Sequence, residues 1–313
     1  MHKDRTMIGI DGGATKTDFL LFTEEGNVLK RIILEGCNPN VCGLDRTCKI
    51  IQSGLNGLFE ISPNVDGIFA GIAGCMSGDN ATKIVNFLKN AYPYLNITVN
   101  SDICNVISST EIEGNCAAVI CGTGFVIYAS VNGQMYRVGG WGYLMDDISG
   151  GYGLGREAIR AALAEQDGFG EKTQLTSLVT QKLGTKVWKS IDKIYAGGDS
   201  YIASFAPIVF EAYHKGDKKA YSILNQYTDK ITELLNYTLK TYNCNQNVVL
   251  SGGLLNNNSV LVDMLREKMA SDIRFNVPEF PQIYGAGIRC CKLYGKMNEN
   301  FLMNMKNSPV FSK

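Results

Sequence analysis

Runs of apolar residues separated by short polar breaks predict an α/β protein in the first third of the chain. Continuous or alternating apolar segments typical of strands occupy residues 7–11, 17–23, 28–36, 65–74 and 96–102. Segments with helical spacing occupy residues 44–60 and 79–93, and a further helix begins at residue 103. Strands and helices that alternate in this way indicate sheets covered by helices.

The same order of elements starts again at residue 116. Residues 116–140 read as strand, glycine turn, strand, Asn-Gly turn and strand, and they match residues 5–36 element for element with few identical residues. This internal duplication predicts two similar α/β domains, which we assign to residues 1–112 and 113–313. The last predicted helix, 282–295, is expected to join the N-terminal domain.

The second half of the chain is predicted to be richer in helices than the first. Its predicted helices occupy residues 155–167, 171–183, 200–240, 259–270 and 282–295, and one strand is predicted at 246–253. No low-complexity segment or linker interrupts them.

The composition suits a folded protein with sizeable cores. The chain has 313 residues, 45% of them apolar and 19% charged, and its formal net charge is zero. This length suits two domains, and the absence of a basic excess argues against a nucleic-acid partner. No apolar run is long enough to cross a bilayer, and the first residues lead into a strand rather than a secretory signal. A cytoplasmic protein without a membrane partner is therefore expected.

Cysteine and histidine usage removes several chemistries. Ten cysteines are scattered among apolar neighbours without a Cys-x-x-Cys pair, which predicts reduced thiols. The chain has two histidines, His2 and His214. A zinc site or a histidine-activated nucleophile is therefore not expected.

The turn between the first two predicted strands has a composition that a plain hairpin does not require. It follows the carboxylate of Asp11, and its candidate phosphate-binding residues are Gly12, Gly13, Ala14, Thr15, Lys16 and Thr17. Glycines let a main chain approach an anion closely, and successive backbone N–H groups form a cradle for it. Asp11 is a candidate ligand for Mg²⁺, which keeps much of its water shell. An ordinary polar hairpin turn is the alternative interpretation.

A second glycine turn, formed by Gly122, Thr123 and Gly124, occupies the corresponding place in the second copy. Two such turns in facing domains would converge on one polyphosphate, although no G-x-x-x-x-G-K-[ST] sequence is present. A further strand ends at Gly252 and Gly253, where adenine can lie against a main chain that lacks side chains. A simple strand-to-helix turn is the alternative there.

Three polar positions have both a structural and a chemical interpretation. Asp102 ends a predicted strand, so it either caps the next helix or acts as the base that accepts a hydroxyl proton in phosphoryl transfer. Asn38 precedes a proline and either forms a turn or binds vicinal hydroxyls. The pair Asp146-Asp147 either caps a helix or binds sugar hydroxyls.

Together these motifs resemble the actin/hexokinase/Hsp70 ATPase superfamily and, within it, the BadF/BadG/BcrA/BcrD group that contains N-acetylglucosamine kinase. The resemblance covers nearly the whole chain and rests on GIDGGATKTDFLLF, GCNPN, GIAG, NSD, CGTGFVIYA, GGWGYLMDDISGGYGLGREAI and VVLSGGL in this order. It implies two duplicated ribonuclease H-like domains around a central cleft.

The resemblance also implies an ATP- and Mg²⁺-dependent kinase that phosphorylates the 6-hydroxyl of N-acetylglucosamine or a close relative, such as N-acetylmuramic acid or glucosamine. It implies Asp102 as general base, sugar contacts at Asn38, Gly74, Gly140 and Asp147, and nucleotide contacts at Thr15, Thr123, Gly124, Gly252 and Gly253. Ile148 stands where the family usually has Glu, which leaves the identity of the amino sugar open. The partner is then a small-molecule sugar, and a homodimer is one option for the assembly.

The same group contains ATPase activators of radical dehydratases and reductases, which bind a [4Fe–4S] cluster across a dimer through cysteines. Cys104 and Cys116 flank the expected domain boundary, so this activity is the alternative. No cysteine pair resembles the activator arrangement, and the loops with Asn38 and Asp147 favour a sugar. A sugar sensor without turnover is a third possibility, against which the presence of Asp102 argues.

Overall fold

The structure is a computed structural model that describes residues 5–146, 150–244 and 246–311. Its chain divides into two units. Unit 1 comprises Met1–Ile112 and Pro278–Lys313, and unit 2 comprises Glu113–Val277. The C-terminal 36 residues from Pro278 to Lys313 therefore belong with the N-terminal part of the chain and not with residues 113–277.

Strands and helices alternate in both parts of the chain. Up to residue 138, the elements are β1 (Thr6–Gly12), β2 (Lys16–Thr23), β3 (Val28–Glu35), α1 (Pro39–Cys42), α2 (Leu44–Phe59), β4 (Gly67–Ile72), α3 (Asn80–Ala91), β5 (Ile97–Asn100), α4 (Ile103–Ser108), β6 (Cys116–Cys121), β7 (Phe125–Val131) and β8 (Gln134–Val138). After it, they are α5 (Gly150–Gln166), α6 (Gln174–Leu183), a 3₁₀ helix (Val187–Ser190), α7 (Ile191–Ala203), α8 (Ala206–His214), α9 (Lys218–Thr241), β9 (Asn247–Ser251), α10 (Gly253–Asn257), α11 (Ser259–Lys268), β10 (Arg274–Asn276), α12 (Gln282–Tyr294), α13 (Glu299–Lys306) and a 3₁₀ helix (Pro309–Phe311).

Each unit is built on a five-stranded mixed sheet, and the two sheets share one topology. In unit 1 the strand order is β3-β2-β1-β4-β5, in which β1, β2 and β3 form an antiparallel meander and β4 and β5 run parallel to β1. In unit 2 the order β8-β7-β6-β9-β10 repeats this arrangement strand for strand. The predicted α/β fold with a duplicated unit is confirmed.

Each unit also has its own hydrophobic core between its sheet and its helices. The core of unit 1 joins side chains of β1, β4 and α2, among them Ile8, Ile10, Ile51, Leu55 and Ile68. The core of unit 2 joins β6, β7 and β9 to α5 and α9, among them Val119, Ile127, Ala158, Leu224 and Leu250. Burial of each large aliphatic side chain contributes about 1.5–3 kcal/mol, which fixes the strands whose ends carry the site.

Helix α12 packs against β1 at a distance that only glycine permits. A Cβ atom on Gly9 would lie 2.8 Å from the backbone carbon of Ala286. The same helix also approaches α4, because a Cβ atom on Gly285 would lie 1.9 Å from the backbone oxygen of Asn105. These close approaches explain why the C-terminal segment belongs to unit 1.

The prediction of one helix over residues 200–240 is wrong, because two interruptions divide this segment among α7, α8 and α9. Helix α7 ends at Ala203, and the chain turns again through Gly216, whose φ angle is +78°. Asp217 then caps α9 by accepting a hydrogen bond from the amide of Ala220 at 2.8 Å. Helix α13 and the short strand β10 were not predicted. Within the described ranges, no helix combines the length and the apolar character that a membrane span needs.

Candidate active site

The loop between β1 and β2 contains two backbone N–H groups that have no acceptor among the described residues. Gly13 donates a hydrogen bond from its amide to the carbonyl of Lys16 at 2.9 Å, which closes the turn. Ala14 and Thr15 at its tip are exposed, and neither amide has a hydrogen-bond acceptor in the part of the chain that the structure describes. A cavity of about 450 Å³ adjoins the loop, and Asp11 and the first residues of α12 also line it. Adjacent unpaired amides beside a cavity suit an anionic ligand.

Two of the predicted phosphate-binding residues support this loop instead of facing the cavity. Gly12 is buried, and a Cβ atom there would lie 2.6 Å from the Sγ atom of Cys37. Thr17 is also buried, and its hydroxyl donates to the carbonyl of Glu35 at 2.7 Å. Close packing against Cys37 therefore explains Gly12, and the hydrogen bond to β3 explains Thr17.

Asp11 is the penultimate residue of β1 and lies close to the start of the loop. Its Oδ1 accepts a hydrogen bond from Nδ2 of Asn105 at 2.7 Å. The pKa of Asp11 is raised to about 6, mainly by burial and to a lesser extent by the nearby carboxylates of Asp102 and Asp18, while the Asn105 bond opposes the shift. One carboxylate beside a phosphate-sized cavity suits a hydrated Mg²⁺ ion that arrives with a nucleotide. Nowhere in the described ranges do three or more His, Cys, Asp or Glu residues form a group that could hold a metal ion.

Asp102 lies between β5 and α4, and its side chain does not cap the helix. Ser101 takes that role, because its Oγ accepts a bond from the amide of Ile103 at 3.3 Å. The same hydroxyl donates to Oδ1 of Asp102 at 3.1 Å. Burial raises the pKa of Asp102, and the Ser101 bond opposes this shift. The carboxylate is thus left for a role other than capping.

Asn38 and Gly74 lie in contact beside the first loop. Asn38 caps α1, since its Oδ1 accepts from the amide of Asn40 at 2.9 Å. Gly74 has a φ angle of +78°, and a Cβ atom there would lie 2.3 Å from the Oδ1 atom of Asn38. Nδ2 of Asn38 has no acceptor among the described residues, so it can donate to a ligand hydroxyl.

Backbone hydrogen bonds join these residues at one edge of the unit 1 sheet. The amide of Ala73 donates to the carbonyl of Gly12 at 2.8 Å, and that of Cys37 donates to the carbonyl of Gly13 at 3.0 Å. The parallel strands β1, β4 and β5 all end at this edge, which brings together Asp11, Gly74 and Asp102. Carboxyl ends of parallel strands are where α/β domains bind their ligands.

The loop between β6 and β7 repeats the first loop in unit 2. Its carbonyls at Gly122 and Thr123 accept from the amides of Gly151 at 2.7 Å and Tyr152 at 3.1 Å, which ties the loop to the start of α5. The amides of Thr123 and Gly124 have no acceptor in the described part of the chain. A Cβ atom on Gly122 or Gly124 would meet no atom of the described residues within 4 Å, so packing within residues 5–146, 150–244 and 246–311 does not explain either glycine. A cavity of about 140 Å³ lies beside Thr123 and Gly124.

The remaining predicted residues of unit 2 have local explanations or lie outside the described residues. Gly140 has a φ angle of +75°, and a Cβ atom there would lie 2.6 Å from that of Val126. Gly252 has a φ angle of +100°, and a Cβ atom would lie 2.4 Å from the carbonyl oxygen of Cys121. Gly253 begins α10 without a close contact. Asp147 lies outside the described residues, and its neighbour Asp146 accepts from the amide of Gly142 at 2.9 Å.

Fold and site together define a class of protein. Two α/β units of the same topology, each with a glycine loop between its first two strands, form the actin-like ATPase fold that sugar kinases share. A model of the BadF/BadG/BcrA/BcrD ATPase family matches residues 8–287, and the chain belongs to that family.

Relatives and solved structures agree with this assignment. The chain is 29% identical over 272 residues to an N-acetylmuramic acid/N-acetylglucosamine kinase of Clostridium acetobutylicum. The alignment covers 83% of this chain and 89% of the relative. The chain is 27% identical over 286 residues to an N-acetyl-D-glucosamine kinase of Dictyostelium discoideum, with 84% and 89% covered. A crystal structure from Porphyromonas gingivalis, provisionally assigned as an N-acetylglucosamine kinase, superposes with a TM-score of 0.67 at 20% identity, covering 91% of this chain and 97% of the other.

Proposed function

We propose that this protein is an ATP-dependent amino-sugar kinase that transfers the γ-phosphoryl group to the 6-hydroxyl of N-acetylglucosamine or a close relative. The observation that carries the proposal is the group of residues at one edge of the unit 1 sheet. Asp102 and Asp11 lie there beside the amides of Ala14 and Thr15, which have no acceptor among the described residues, where neighbouring strands end side by side. The activities of the two kinases named above support the choice of substrate class.

Asp102 is the proposed general base. As the sugar O6 atom forms its bond to the γ-phosphorus and the bond from that phosphorus to ADP breaks, the O6 proton passes to the Asp102 carboxylate. A base works best when its pKa lies near the working pH, and burial shifts the pKa of Asp102 upward. Asn38, whose Nδ2 is available, is the proposed donor to a ring hydroxyl, with Gly74 giving the space beside it. Asp147 remains a proposed sugar ligand.

Both glycine loops are proposed to bind the phosphates of ATP. In unit 1, the amides of the exposed residues Ala14 and Thr15 are the donors, and the exposed Lys16 ammonium adds positive charge. In unit 2, the amides of Thr123 and Gly124 are the donors. Phosphoryl transfer depends mainly on positioning and on neutralisation of phosphate charge, which such donors provide. Gly252 and Gly253 are the proposed contacts to adenosine.

Asp11 is the residue that would hold Mg²⁺, through a water of the ion's hydration shell. When bound, Mg²⁺ neutralises negative charge on the phosphates of the nucleotide. The loop cavity beside Asp11 has room for phosphate groups, which fits a cation that enters as part of Mg·ATP.

The surroundings of Cys104 and Cys116 do not support the alternative activity, that of an iron–sulfur ATPase activator. Cys104 is 5% exposed and Cys116 is fully buried. Burial raises the pKa of Cys104 to about 11 and that of Cys116 to about 12, so neither thiol is activated by its surroundings.

An ADP-release screen tests the proposal and ranks the acceptors. The purified chain is assayed with Mg·ATP and N-acetylglucosamine, N-acetylmuramic acid, glucosamine, N-acetylmannosamine or glucose, each at the same concentration. We expect ADP release that depends on an amino sugar, and a product that resists further phosphorylation once its 6-hydroxyl is esterified. A 6-deoxy analogue of the best acceptor serves as the control. ADP release at the same rate with every sugar, with the 6-deoxy analogue and without a sugar would refute the proposal.

A further inference from the structure

Asn105 is a buried polar residue in unit 1 that no sequence motif identified. It lies on α4, one helical turn after Asp102, and its side chain is fully buried. Its Nδ2 atom donates to Oδ1 of Asp11 at 2.7 Å and lies 3.4 Å from the carbonyl of Ile10 and 3.3 Å from that of Gly71. The shortest of the three contacts is the one to the carboxylate, and bonds to charged acceptors are the stronger class.

Stability alone does not account for an asparagine at this position. The Oδ1 atom of Asn105 is buried and has no hydrogen-bond donor among the described residues. An unpaired buried oxygen is destabilising, and an apolar side chain of similar size would remove that cost. The hydrogen bonds of its Nδ2 atom therefore explain why an asparagine occupies this position.

The surrounding backbone is shaped to keep the amide in place. A Cβ atom on Gly71 of β4 would lie 2.3 Å from Oδ1 of Asn105, and one on Gly285 of α12 would lie 1.9 Å from its backbone oxygen. Glycine on two different elements thus makes room for this one residue. A side chain enclosed in this way cannot swing away from Asp11 without moving a strand or a helix.

We propose that Asn105 is a positioning residue that fixes the Asp11 carboxylate for the divalent cation carried by ATP. The inference rests on the proposed kinase function. Asn105 donates its hydrogen bond to Oδ1 of Asp11. The other carboxylate oxygen, Oδ2, has no protein partner in the described ranges and can therefore accept a hydrogen bond from a cation-bound water. Because α4 begins directly after Asp102, the bond from Asn105 also holds the cation carboxylate at a set distance from the general base. Partners that orient metal-binding side chains typically change metal affinity by about 10–100-fold when they are removed.

The test measures how strongly Mg²⁺ improves ATP binding in the absence of sugar. ATP is titrated into the full-length protein by calorimetry, once with excess Mg²⁺ and once with EDTA, and the ratio of the two affinities is the readout. Asn105→Leu removes the donor and the unpaired oxygen at similar volume, and Asn105→Ala serves if the leucine variant does not fold. Ser108→Ala, one turn further along α4 at a buried position, is the matched control.

We expect Asn105→Leu to reduce the Mg²⁺-dependent gain in ATP affinity by about tenfold, as expected for loss of a partner that orients a metal-binding carboxylate. ATP affinity in EDTA and the KM for the sugar should stay close to those of the unchanged protein. Asp11→Asn should give the same loss, and the double variant should lose no more than either single one. Ser108→Ala should behave as the unchanged protein.

Two outcomes would overturn the positioning role. One is a folded Asn105 variant that keeps the full Mg²⁺-dependent gain, and the other is a variant that loses ATP affinity equally with Mg²⁺ and EDTA. In both, the unchanged protein still phosphorylates an amino sugar, so the kinase proposal stands. A chain that neither binds ATP nor releases ADP with any amino sugar would overturn both proposals together.

Discussion

Replacement of Asp102 by Asn tests the general base with little change in shape. The two side chains have nearly the same size, and the amide oxygen can keep the hydrogen bond that Ser101 donates at 3.1 Å. Since the carboxylate makes no capping bond to α4, the start of that helix should be unaffected. The substitution therefore removes a proton acceptor and leaves its surroundings in place.

We expect Asp102→Asn to lower the reaction rate strongly without lowering the stability of the fold. A positioned general base contributes about 10²–10⁴-fold to the rate, so its loss should raise the barrier by roughly 3–5 kcal/mol. Burial raises the pKa of Asp102, which means that the folded protein disfavours its ionised form. The neutral amide does not carry this cost, so the melting temperature at pH 7.5 should be unchanged or higher.

The assay is kcat from coupled ADP release at saturating ATP and the best amino sugar, with ATP affinity measured by calorimetry. Asp79→Asn, an exposed aspartate paired with Lys83 at 2.9 Å, is the matched control and should keep full activity. An Asp102→Asn variant with more than about a tenth of the normal kcat, or roughly 1.4 kcal/mol of barrier, would refute the general-base assignment. Loss of activity together with loss of ATP binding would point to a structural role instead.

Three further substitutions have expected outcomes at other parts of the site. Burial raises the pKa of Asp11 to about 6, above its unfolded value of about 3.9, so this carboxylate should lower stability as the pH rises from about 4 to about 6. Asp11→Asn should remove that slope in urea unfolding and stabilise the protein by up to about 3 kcal/mol at pH 7.5, and an unchanged slope would contradict this attribution. Gly74→Ala places a Cβ atom 2.3 Å from Oδ1 of Asn38 and should raise the KM for the sugar several-fold. Gly78→Ala, also at positive φ but without a described neighbour within 4 Å, is the control and should leave this KM unchanged. Equal effects of the two substitutions on the KM would count against a contact between Asn38 and the sugar. Gly124→Ala adds a Cβ atom that meets none of the described residues within 4 Å, so it should leave the melting temperature within a degree or two while raising the KM for ATP. An unchanged KM would exclude close phosphate approach to this loop.

Short-range patterns were sufficient for most strands and for both glycine loops. Apolar runs and turn residues act within a few positions, and the duplication predicted from residues 5–36 and 116–140 corresponds to two sheets of identical topology. The break between α8 and α9 was missed although its signals are local. Gly216 and Asp217 are the residues that end one helix and cap the next, and the continuous helical spacing around them concealed this.

Interpretation of individual site residues needed the tertiary structure. Gly12 and Thr17 belong to the same motif as Ala14 and Thr15, yet the first pair is buried in packing and hydrogen bonding while the second pair is exposed. Asp102 has the sequence position of a helix cap, and only the coordinates assign that cap to Ser101. A motif defines which residue types meet at a turn, whereas packing decides which of them face a ligand.

By itself, the sequence determined the class of fold, the duplication and the strand ends at which the candidate site residues lie, because periodicity and turn chemistry are local properties. The tertiary structure decided that residues 278–313 complete unit 1 and that Asn105 bonds to Asp11, 94 positions earlier in the chain. Such pairings depend on which elements pack together. Neither the buried asparagine nor the glycines that make room for it form a pattern along the chain.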